Sequence, residues 1–262
     1  MHAPIRFRDL RAEADAGLIE AVYHEILEPS FEPDELETLD SVLDGLMPGG
    51  SYEAWGLCAV DGEKAVGCIV GYPYRRSGVL LIGYVAVRSG LRSRGIGGLL
   101  LDEARRRWYG KPGISLVVAE IDDPRYHPPT GEIDAERRLA FCARHGMQVV
   151  IGPYFQPRLK GKGKMRVYGL FLAVLDGSNE ATGPGQLVSA RQLTEFFLEY
   201  FETSGEGSDW PRDEDKEGRW LLDWYRGREM VGLRPIGGYS QSEIPQVPGR
   251  PAATSAGTFG SG

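Results

Sequence analysis

Residues 79–108 read VLLIGYVAVRSGLRSRGIGGLLLDEARRRW. The stretch begins with an apolar run typical of a buried strand and ends with apolar residues at helical spacing, which predict an amphipathic helix. The glycines and arginines between them predict a loop that leads directly from the strand into the helix. Because the first N–H groups of a helix have no intrahelical partner and carry a partial positive charge, such a junction is suited to binding a phosphate group.

The glycines of this loop do not fit the two common phosphate-binding fingerprints. The dinucleotide fingerprint G-x-G-x-x-G, counted from Gly95, requires a third glycine where the sequence has Leu100. A Walker loop requires Lys followed by Ser or Thr directly after its glycines, whereas here Leu99 follows Gly97 and Gly98. The pattern that remains is R-x-x-G-x-G, formed by Arg92, Gly95 and Gly97.

A strand that leads through R-x-x-G-x-G into a helix resembles the GNAT superfamily, the GCN5-related N-acetyltransferases, whose acyl-CoA loop reads [RQ]-x-x-G-x-[GA]. The resemblance covers residues 5–175 and implies acetyl-CoA as co-substrate, with no metal. It also implies that the end of the strand pairs with the pantetheine arm and that the loop holds the pyrophosphate. The implied cofactor-binding residues are Val85, Ala86, Val87, Arg92, Ser93, Arg94, Gly95, Ile96, Gly97 and Gly98.

Hydrophobic patterning outside this stretch predicts further elements of the same fold. Predicted strands cover residues 5–10, 54–60, 65–74, 79–87, 114–121, 148–151 and 167–175, and predicted helices cover 15–27, 35–46 and 134–145. The strand at 114–121 follows a crossover helix, so it is expected to run parallel to the strand at 79–87. The fold class implied by the resemblance is α/β (α+β): a mixed, mostly antiparallel sheet with a splayed parallel strand pair, flanked by helices.

The resemblance ends near residue 175, and the chain continues with a different composition. The predicted parts are an acyl-CoA-dependent N-acetyltransferase domain (1–175), a helical C-terminal extension (176–236) and a disordered tail rich in Gly, Pro and Ser (237–262). Ser189 followed by Gln192 is a capping-box signature, and the helix after it carries an aromatic stripe over 193–201. Such a stripe must be buried, either within the chain or in a homodimer interface.

Transfer of an acetyl group to an amine needs a base, a group that stabilises an oxyanion, and a proton for the leaving thiolate. The resemblance implies that a backbone N–H within 85–87 stabilises the oxyanion. Glu120 is the candidate base, because it lies late in its strand, beside the splay where the amine would arrive. An ion-paired or solvated carboxylate is the alternative for this position. Phe31, Tyr126 and Tyr154 are candidate residues of the acceptor pocket.

The proton donor is where the chain departs from the family pattern. Many members carry F-Y-x-x-x-G-F late in the second helix, with the tyrosine near the thioester sulfur. The matching run here is FCARHGM at 141–147, which places Cys142 at the tyrosine position. A thiol is able in principle to protonate a thiolate, although a small buried cysteine more often only packs. Water and Tyr154 are the alternatives.

Composition narrows the remaining classes of protein. The 262 residues carry a formal net charge of −7, which argues against nucleic acid as a partner. Three cysteines in apolar surroundings are expected of reduced, cytoplasmic thiols. Cys142 and His145 form an isolated C-x-x-H, which does not favour a metal site. No apolar run is long enough for a membrane span, and no membrane association is expected.

The sequence therefore predicts an N-acetyltransferase that moves an acetyl group from acetyl-CoA to a primary amine of a small molecule, by direct attack in a ternary complex. An aminoglycoside-like or polyamine-like compound, an amino acid and a protein terminus all remain open as acceptors. The alternative is a non-catalytic acyl-CoA-binding module whose C-terminal helix recruits a partner. The missing tyrosine and the extension motivate this alternative.

Overall fold

The computed structural model describes residues 5–127, 135–179, 181–183, 186–245 and 247–248. The strands are β1 Arg6–Asp9, β2 Trp55–Asp61, β3 Lys64–Tyr74, β4 Val79–Val87, β5 Leu116–Asp122, β6 Gln148–Val150, β7 Leu170–Gly177, β8 Thr182–Gly183, β9 Leu187–Ser189 and β10 Met230–Pro235. The helices are α1 Leu10–Glu13, α2 Ala16–Val22, α3 Leu39–Leu46, α4 Ile96–Trp108, α5 Ala135–Arg144, α6 Ala190–Thr203 and α7 Lys216–Arg226. A π-helical turn, Tyr23–Leu27, extends α2, and a 3₁₀ turn covers Gln241–Glu243.

The described strands form one sheet in the order β1-β2-β3-β4-β5-β7-β6-β10-β9-β8. β4 and β5 are parallel and α4 is the crossover between them, whereas the other neighbouring strands are antiparallel. The predicted fold class is thereby confirmed. None of the helices within the described residues is long and apolar enough to cross a membrane.

The parallel strands β4 and β5 separate at their carboxyl ends. Their pairing ends where Ile82 lies opposite Ala119. β4 nevertheless continues to Val87 and β5 to Asp122. The end of β4 pairs with β3 on one side only, so backbone groups on its other edge face the gap between the two strands.

A β-bulge in β4 coincides with this separation. The pairing of β3 with β4 shifts between Val70 and Gly71, and the extra residue in β4 is Gly83. A bulge bends its strand and increases the local twist, which turns the end of β4 away from β5. A Cβ atom at Gly83 would lie 2.6 Å from the ring of Tyr72, so this position has room only for glycine.

Two buried clusters cover the two faces of the sheet. The face that carries Leu116 and Val118 of β5 packs against α2, α3, α6 and α7. The face that carries Val117 and Ala119 packs against α4 and α5. Because side chains alternate along a strand, Glu120 projects from the same face as Leu116 and Val118.

The C-terminal extension is part of this sheet and core. The aromatic stripe of α6 is buried within the chain, in the same cluster as the sheet residues, which is the intrachain alternative for this stripe. The extension also contributes β8, β9 and β10, which the sequence analysis missed, and β10 pairs with both β6 and β9. Of the segment predicted as a disordered tail, Ile244 and Val247 are buried, and residues 249–262 lie outside the described residues.

One helix begins later than predicted, with a consequence for the site. The sequence predicts a helix over 35–46, but α3 begins at Leu39. The side chain of Thr38 caps it by accepting a hydrogen bond from the Ser41 N–H at 3.3 Å. Glu35 and Glu37 therefore lie in the loop before α3 rather than on a helix surface.

Arg166, which lies just before β7, connects the segment before that strand to the C-terminal extension. Its guanidinium lies 2.8 Å from Glu206, 2.5 Å from Asp215 and 3.4 Å from Glu217. The Arg166 side chain is 16% exposed, and those of Glu206 and Asp215 are 11% and 14% exposed. Burial raises the pKa of the Asp215 carboxyl, but hydrogen bonds from Arg166 and the Gly218 N–H outweigh it, so the pKa lies below its ordinary value.

We expect Arg166→Met to lower the free energy of unfolding by about 3–5 kcal/mol at pH 7, because it leaves buried carboxylates without their cation. A carboxyl whose pKa is lowered by folding stabilises the fold above its unfolded pKa, near 3.9, and this contribution is lost as pH falls. The difference in the free energy of unfolding between wild type and Arg166→Met should therefore be smaller at about pH 3 than at pH 7. Urea unfolding at both pH values measures it. Arg191→Met is the control, since Arg191 is 87% exposed and its ion pair with Glu195 is worth at most about 1 kcal/mol; equal losses in both variants would contradict the expectation.

Candidate active site

The start of α4 is open to a ligand. Gly95 is its N-cap, with a left-handed backbone (φ 81°), and no side chain caps the helix. In contrast, Asp, Thr or Ser side chains cap α1, α2, α3, α6 and α7. A Cβ atom at Gly95 would meet nothing within 4 Å. The N–H groups of the first turn thus have no side-chain cap, and the space at Gly95 beside them is open, as binding of a pyrophosphate requires.

The other two glycines of the loop have a different role. A Cβ atom at Gly97 would lie 3.3 Å from the ring of Phe141, and one at Gly98 would lie 3.2 Å from the ring of His145. These glycines therefore allow α4 to pack closely against α5. Gly95 is the glycine whose missing side chain leaves room for a ligand.

The two arginines of the loop lie in different places. Arg92 turns back onto β4, where its Nε donates to the carbonyl oxygen of Val87 at 3.3 Å and a terminal nitrogen lies 3.3 Å from the Ser30 hydroxyl. Arg94 and Ser93 are exposed at the tip of the loop. Of the two, Arg94 is the exposed arginine, and it directly precedes the N-cap Gly95 in the chain.

The open edge of β4 supplies backbone groups beside this loop. Val85, Ala86 and Val87 pair with β3 on one side, opposite Ile69, Cys68 and Gly67. Because successive residues of a strand direct their backbone groups to opposite edges, the groups of this segment that do not bond β3 lie on the edge that faces the gap left by β5. This is the place where the sequence analysis expects the pantetheine arm and the thioester carbonyl.

Glu120 lies across this gap, on β5. Its Oε1 accepts a hydrogen bond from the hydroxyl of Tyr154, and the hydroxyl of Tyr200 lies 3.4 Å from the same oxygen. Burial raises the pKa of Glu120 to about 7, although the two tyrosine hydrogen bonds lower it. A carboxylate with a pKa near neutrality is suited to accept and return a proton at physiological pH.

Tyr200, a residue of α6, was missed by the sequence analysis. It lies in the middle of an aromatic stripe, where only its hydroxyl distinguishes it from the phenylalanines around it. Tyr154, which the sequence analysis proposed, is buried with its ring 5.9 Å from that of Phe197, also in α6. The extension therefore contributes directly to the surroundings of Glu120.

A second missed residue, Glu37, lies in the same region. Its Oε2 accepts a hydrogen bond from Tyr72 at 2.8 Å and lies 3.1 Å from the hydroxyl of Tyr52. Burial raises the pKa of Glu37, against the lowering effect of these hydrogen bonds. The Glu37 N–H donates to the hydroxyl of Tyr84 at 2.9 Å, and the ring of Phe31, a proposed pocket residue, lies 5.0 Å from that of Tyr84.

Two other candidates lie elsewhere. Tyr126 is in the turn after β5, where it packs against Gly169 and lies beside Arg125. Cys142 lies in the cluster under α4 and α5, on the face of the sheet opposite to Glu120. Burial raises the pKa of its thiol to about 12, so it is a much weaker acid than an ordinary thiol with a pKa near 8.5. Cys142 is thus a poor proton donor for a leaving thiolate.

One group among the described residues has the composition of a metal site. Ligand atoms of Glu35, Asp122 and His127 lie within 4.8 Å of one another. Arg138, however, already pairs with Asp122 at 2.5 Å and brings a positive charge into the group. We therefore interpret these residues as an ion-pair cluster beside the site.

Comparisons with known proteins agree with this geometry. The Acetyltransferase (GNAT) family matches residues 19–127. No curated protein matches the sequence. A solved structure from Bacteroides thetaiotaomicron, assigned to the GNAT family, is 20% identical, covers 75% of this chain and 98% of its own, and has a TM-score of 0.53.

Two further solved structures are similar at lower TM-scores. One from Desulfovibrio desulfuricans, also assigned to the GNAT family, is 22% identical, covers 66% of this chain and 99% of its own, and has a TM-score of 0.45. A GNAT family acetyltransferase from Elizabethkingia anophelis, solved with acetyl-CoA bound, is 16% identical, covers 66% of this chain and 97% of its own, and has a TM-score of 0.41. Residues 19–127 thus match the Acetyltransferase (GNAT) family, and the chain shares the fold of a solved structure assigned to that family.

Proposed function

We propose that the protein is an acyl-CoA-dependent N-acetyltransferase that acetylates a primary amine of a small molecule by direct attack in a ternary complex. The observation that carries the proposal is Glu120, a carboxylate with a pKa of about 7 on β5, at the gap between β4 and β5. The start of α4, which no side chain caps, supports the cofactor part of the proposal. The match of residues 19–127 to the acetyltransferase family supports it.

The cofactor would be acetyl-CoA. Its pyrophosphate would bind the N–H groups at the start of α4, close to Ser93 and Arg94, and its pantetheine arm would lie along the open edge of Val85–Val87. A backbone N–H of this edge would donate to the thioester carbonyl and stabilise the oxyanion as it forms. The protein thus positions the thioester, and the cofactor supplies the leaving group.

Glu120 would act first as the general base and then as the general acid. A primary amine with a pKa near 10 is mostly ammonium at neutral pH, and Glu120 accepts its proton directly or through water. The amine nitrogen then bonds to the carbonyl carbon, the C–S bond breaks and the thiolate of CoA leaves, while the nitrogen loses its second extra proton to water and becomes the amide nitrogen. Protonated Glu120, with a pKa of about 7, is a stronger acid than a thiol with a pKa near 8.5 and so is able to return the proton to sulfur.

The first test measures CoA thiol release from acetyl-CoA in the presence of a panel of small primary amines, together with calorimetric binding of acetyl-CoA and desulfo-CoA. We expect micromolar binding and amine-dependent thiol release. Binding without release for any amine would overturn the proposed activity. The alternative of a partner-recruiting C-terminal helix is not favoured, because the apolar face of α6 is already buried within the chain.

The pH dependence tests Glu120 as the base. We expect kcat/KM to rise with pH through an apparent pKa of about 7, since the unprotonated carboxylate is the active form. In Tyr154→Phe, the rise of kcat/KM should occur at higher pH, because the Tyr154 hydrogen bond lowers the pKa of Glu120.

Tyr225→Phe is the matched control for this profile. Tyr225 is also a buried tyrosine of the extension, but its hydroxyl donates to the carbonyl oxygen of Pro153 and not to Glu120. We expect it to leave the limb near pH 7 in place. A limb that stays unchanged in Tyr154→Phe would argue against Glu120 as the titrating group.

A further inference from the structure

The proposed mechanism uses Glu120 but leaves Glu37 without a role. The loop holds Glu37 firmly: its N–H donates to the hydroxyl of Tyr84 at 2.9 Å, and its carbonyl oxygen accepts from Tyr23 at 2.9 Å. Its Oε2 accepts from Tyr72. A partly buried carboxylate fixed in this way carries a desolvation cost that its tyrosine partners alone do not remove.

Both carboxylates keep one oxygen available to a ligand. Oε1 of Glu37 and Oε2 of Glu120 accept no hydrogen bond from the part of the chain that the structure describes. Among the described residues, every side-chain oxygen that is fully shielded from solvent has a hydrogen-bond partner. Neither of these two oxygens is therefore fully shielded from solvent.

The carboxylate of Glu37 also has no close cation among the described residues. Lys160 and Lys164 are near enough to lower its pKa, but neither forms an ion pair with it. The ammonium of Lys164 donates to the carbonyl oxygen of Leu36 at 2.7 Å, and that of the exposed Lys160 lies 5.7 Å from the centroid of the Tyr52 ring. The negative charge of Glu37 thus remains available to a ligand.

Aromatic side chains connect the two carboxylates. Both Glu37 and Glu120 raise the pKa values of Tyr74 and Tyr84, after the larger effect of burial, so these two rings lie near both charges. The ring of Tyr200, which contacts Glu120, lies 5.4 Å from that of Tyr74. Aromatic rings that lie near two carboxylates favour an organic cation with two charges.

We propose that Glu37 binds a second cationic group of the acceptor, so that the acceptor is a linear diamine or a related dication whose other amine meets Glu120. This inference rests on the proposed function and names its substrate class. The apolar carbon chain between the two charges would lie against Tyr74 and Tyr84.

The test compares linear diamines of three to six carbons with the monoamine of each length. Each amine is titrated by calorimetry into the protein loaded with CoA, and kcat/KM is measured with acetyl-CoA. We expect the best diamine to bind at least tenfold more tightly than its monoamine. Glu37→Gln should abolish this preference without changing the affinity for acetyl-CoA, since an amide still accepts the tyrosine hydrogen bonds but carries no charge. Asp223→Asn, an exposed carboxylate of α7, is the control and should keep the preference.

Glu37→Asp gives a second reading that does not depend on losing the charge. It withdraws the carboxylate by one methylene, so the preferred diamine should become one carbon longer. A structural role for Glu37 would not move this optimum. Equal affinity of wild type for diamines and monoamines, or equal losses for both in Glu37→Gln, would overturn the inference. Diamine binding that depends on Glu37 without any acetylation would instead overturn the proposed function and leave the second binding site standing.

Discussion

Glu120→Gln is expected to lower kcat by about 10²–10⁴-fold, the usual contribution of a general base, while the dissociation constant of acetyl-CoA stays the same. The amide cannot accept the proton of the ammonium. It can still accept the hydrogen bond that Tyr154 donates to Oε1 in the wild type, so the geometry around it is kept. Single-turnover kinetics and calorimetry separate the loss of chemistry from any loss of binding.

A second readout distinguishes a missing base from a distorted site. An amine with a pKa near 10 loses its proton to water as pH rises, so the deficit of Glu120→Gln should shrink between pH 7 and pH 10. Glu195→Gln is the matched control, because Glu195 lies on α6 near the surface and pairs with the exposed Arg191. Retention of kcat within about threefold in Glu120→Gln would exclude Glu120 as the base.

The sequence was sufficient for those parts of the site that depend on local pattern. The loop before α4 follows from a motif, and the position of Glu120 follows from its place late in the strand predicted over 114–121; both are short-range properties of the chain. Glu37 was missed because leucine spacing predicts a helix over 35–46, where Glu37 would be a solvated surface residue. The cap at Thr38 delays that helix and leaves Glu37 in a loop, which no periodicity indicates.

Contacts between distant parts of the chain could not be predicted. The hydroxyl of Tyr200 reaches Glu120 from a helix in the extension, and β10 pairs with β6 although it is short and contains both glycine and proline. Half of the predicted capping box is present, since Ser189 accepts from the Gln192 N–H at 3.2 Å. The Gln192 side chain instead donates to Ser115 at 2.7 Å and so ties α6 to the start of β5.

The structure shows which glycine is suited to a test of the phosphate loop. A charged side chain introduced at Gly97 would clash with Phe141 and disturb the packing of α4 against α5. A loss of acetyl-CoA binding would then have two possible causes. Gly95 faces open space, and its left-handed backbone is one that Asp and Asn tolerate better than other residues. Gly95→Asp and Gly95→Asn therefore differ in charge but hardly in shape or strain.

Gly95→Asp is expected to weaken acetyl-CoA binding by about 100-fold relative to Gly95→Asn, because a carboxylate about 5 Å from a pyrophosphate costs on the order of 3 kcal/mol at an effective dielectric constant of about 20. Calorimetry at low and high salt measures the difference, which should narrow at high salt if it is electrostatic. Equal affinities in the two variants would mean that the pyrophosphate does not bind at the start of α4. If the pyrophosphate does bind there, Gly95→Asp raises KM for acetyl-CoA, whereas Glu120→Gln lowers kcat. The two variants then separate cofactor binding from proton transfer at the gap between β4 and β5.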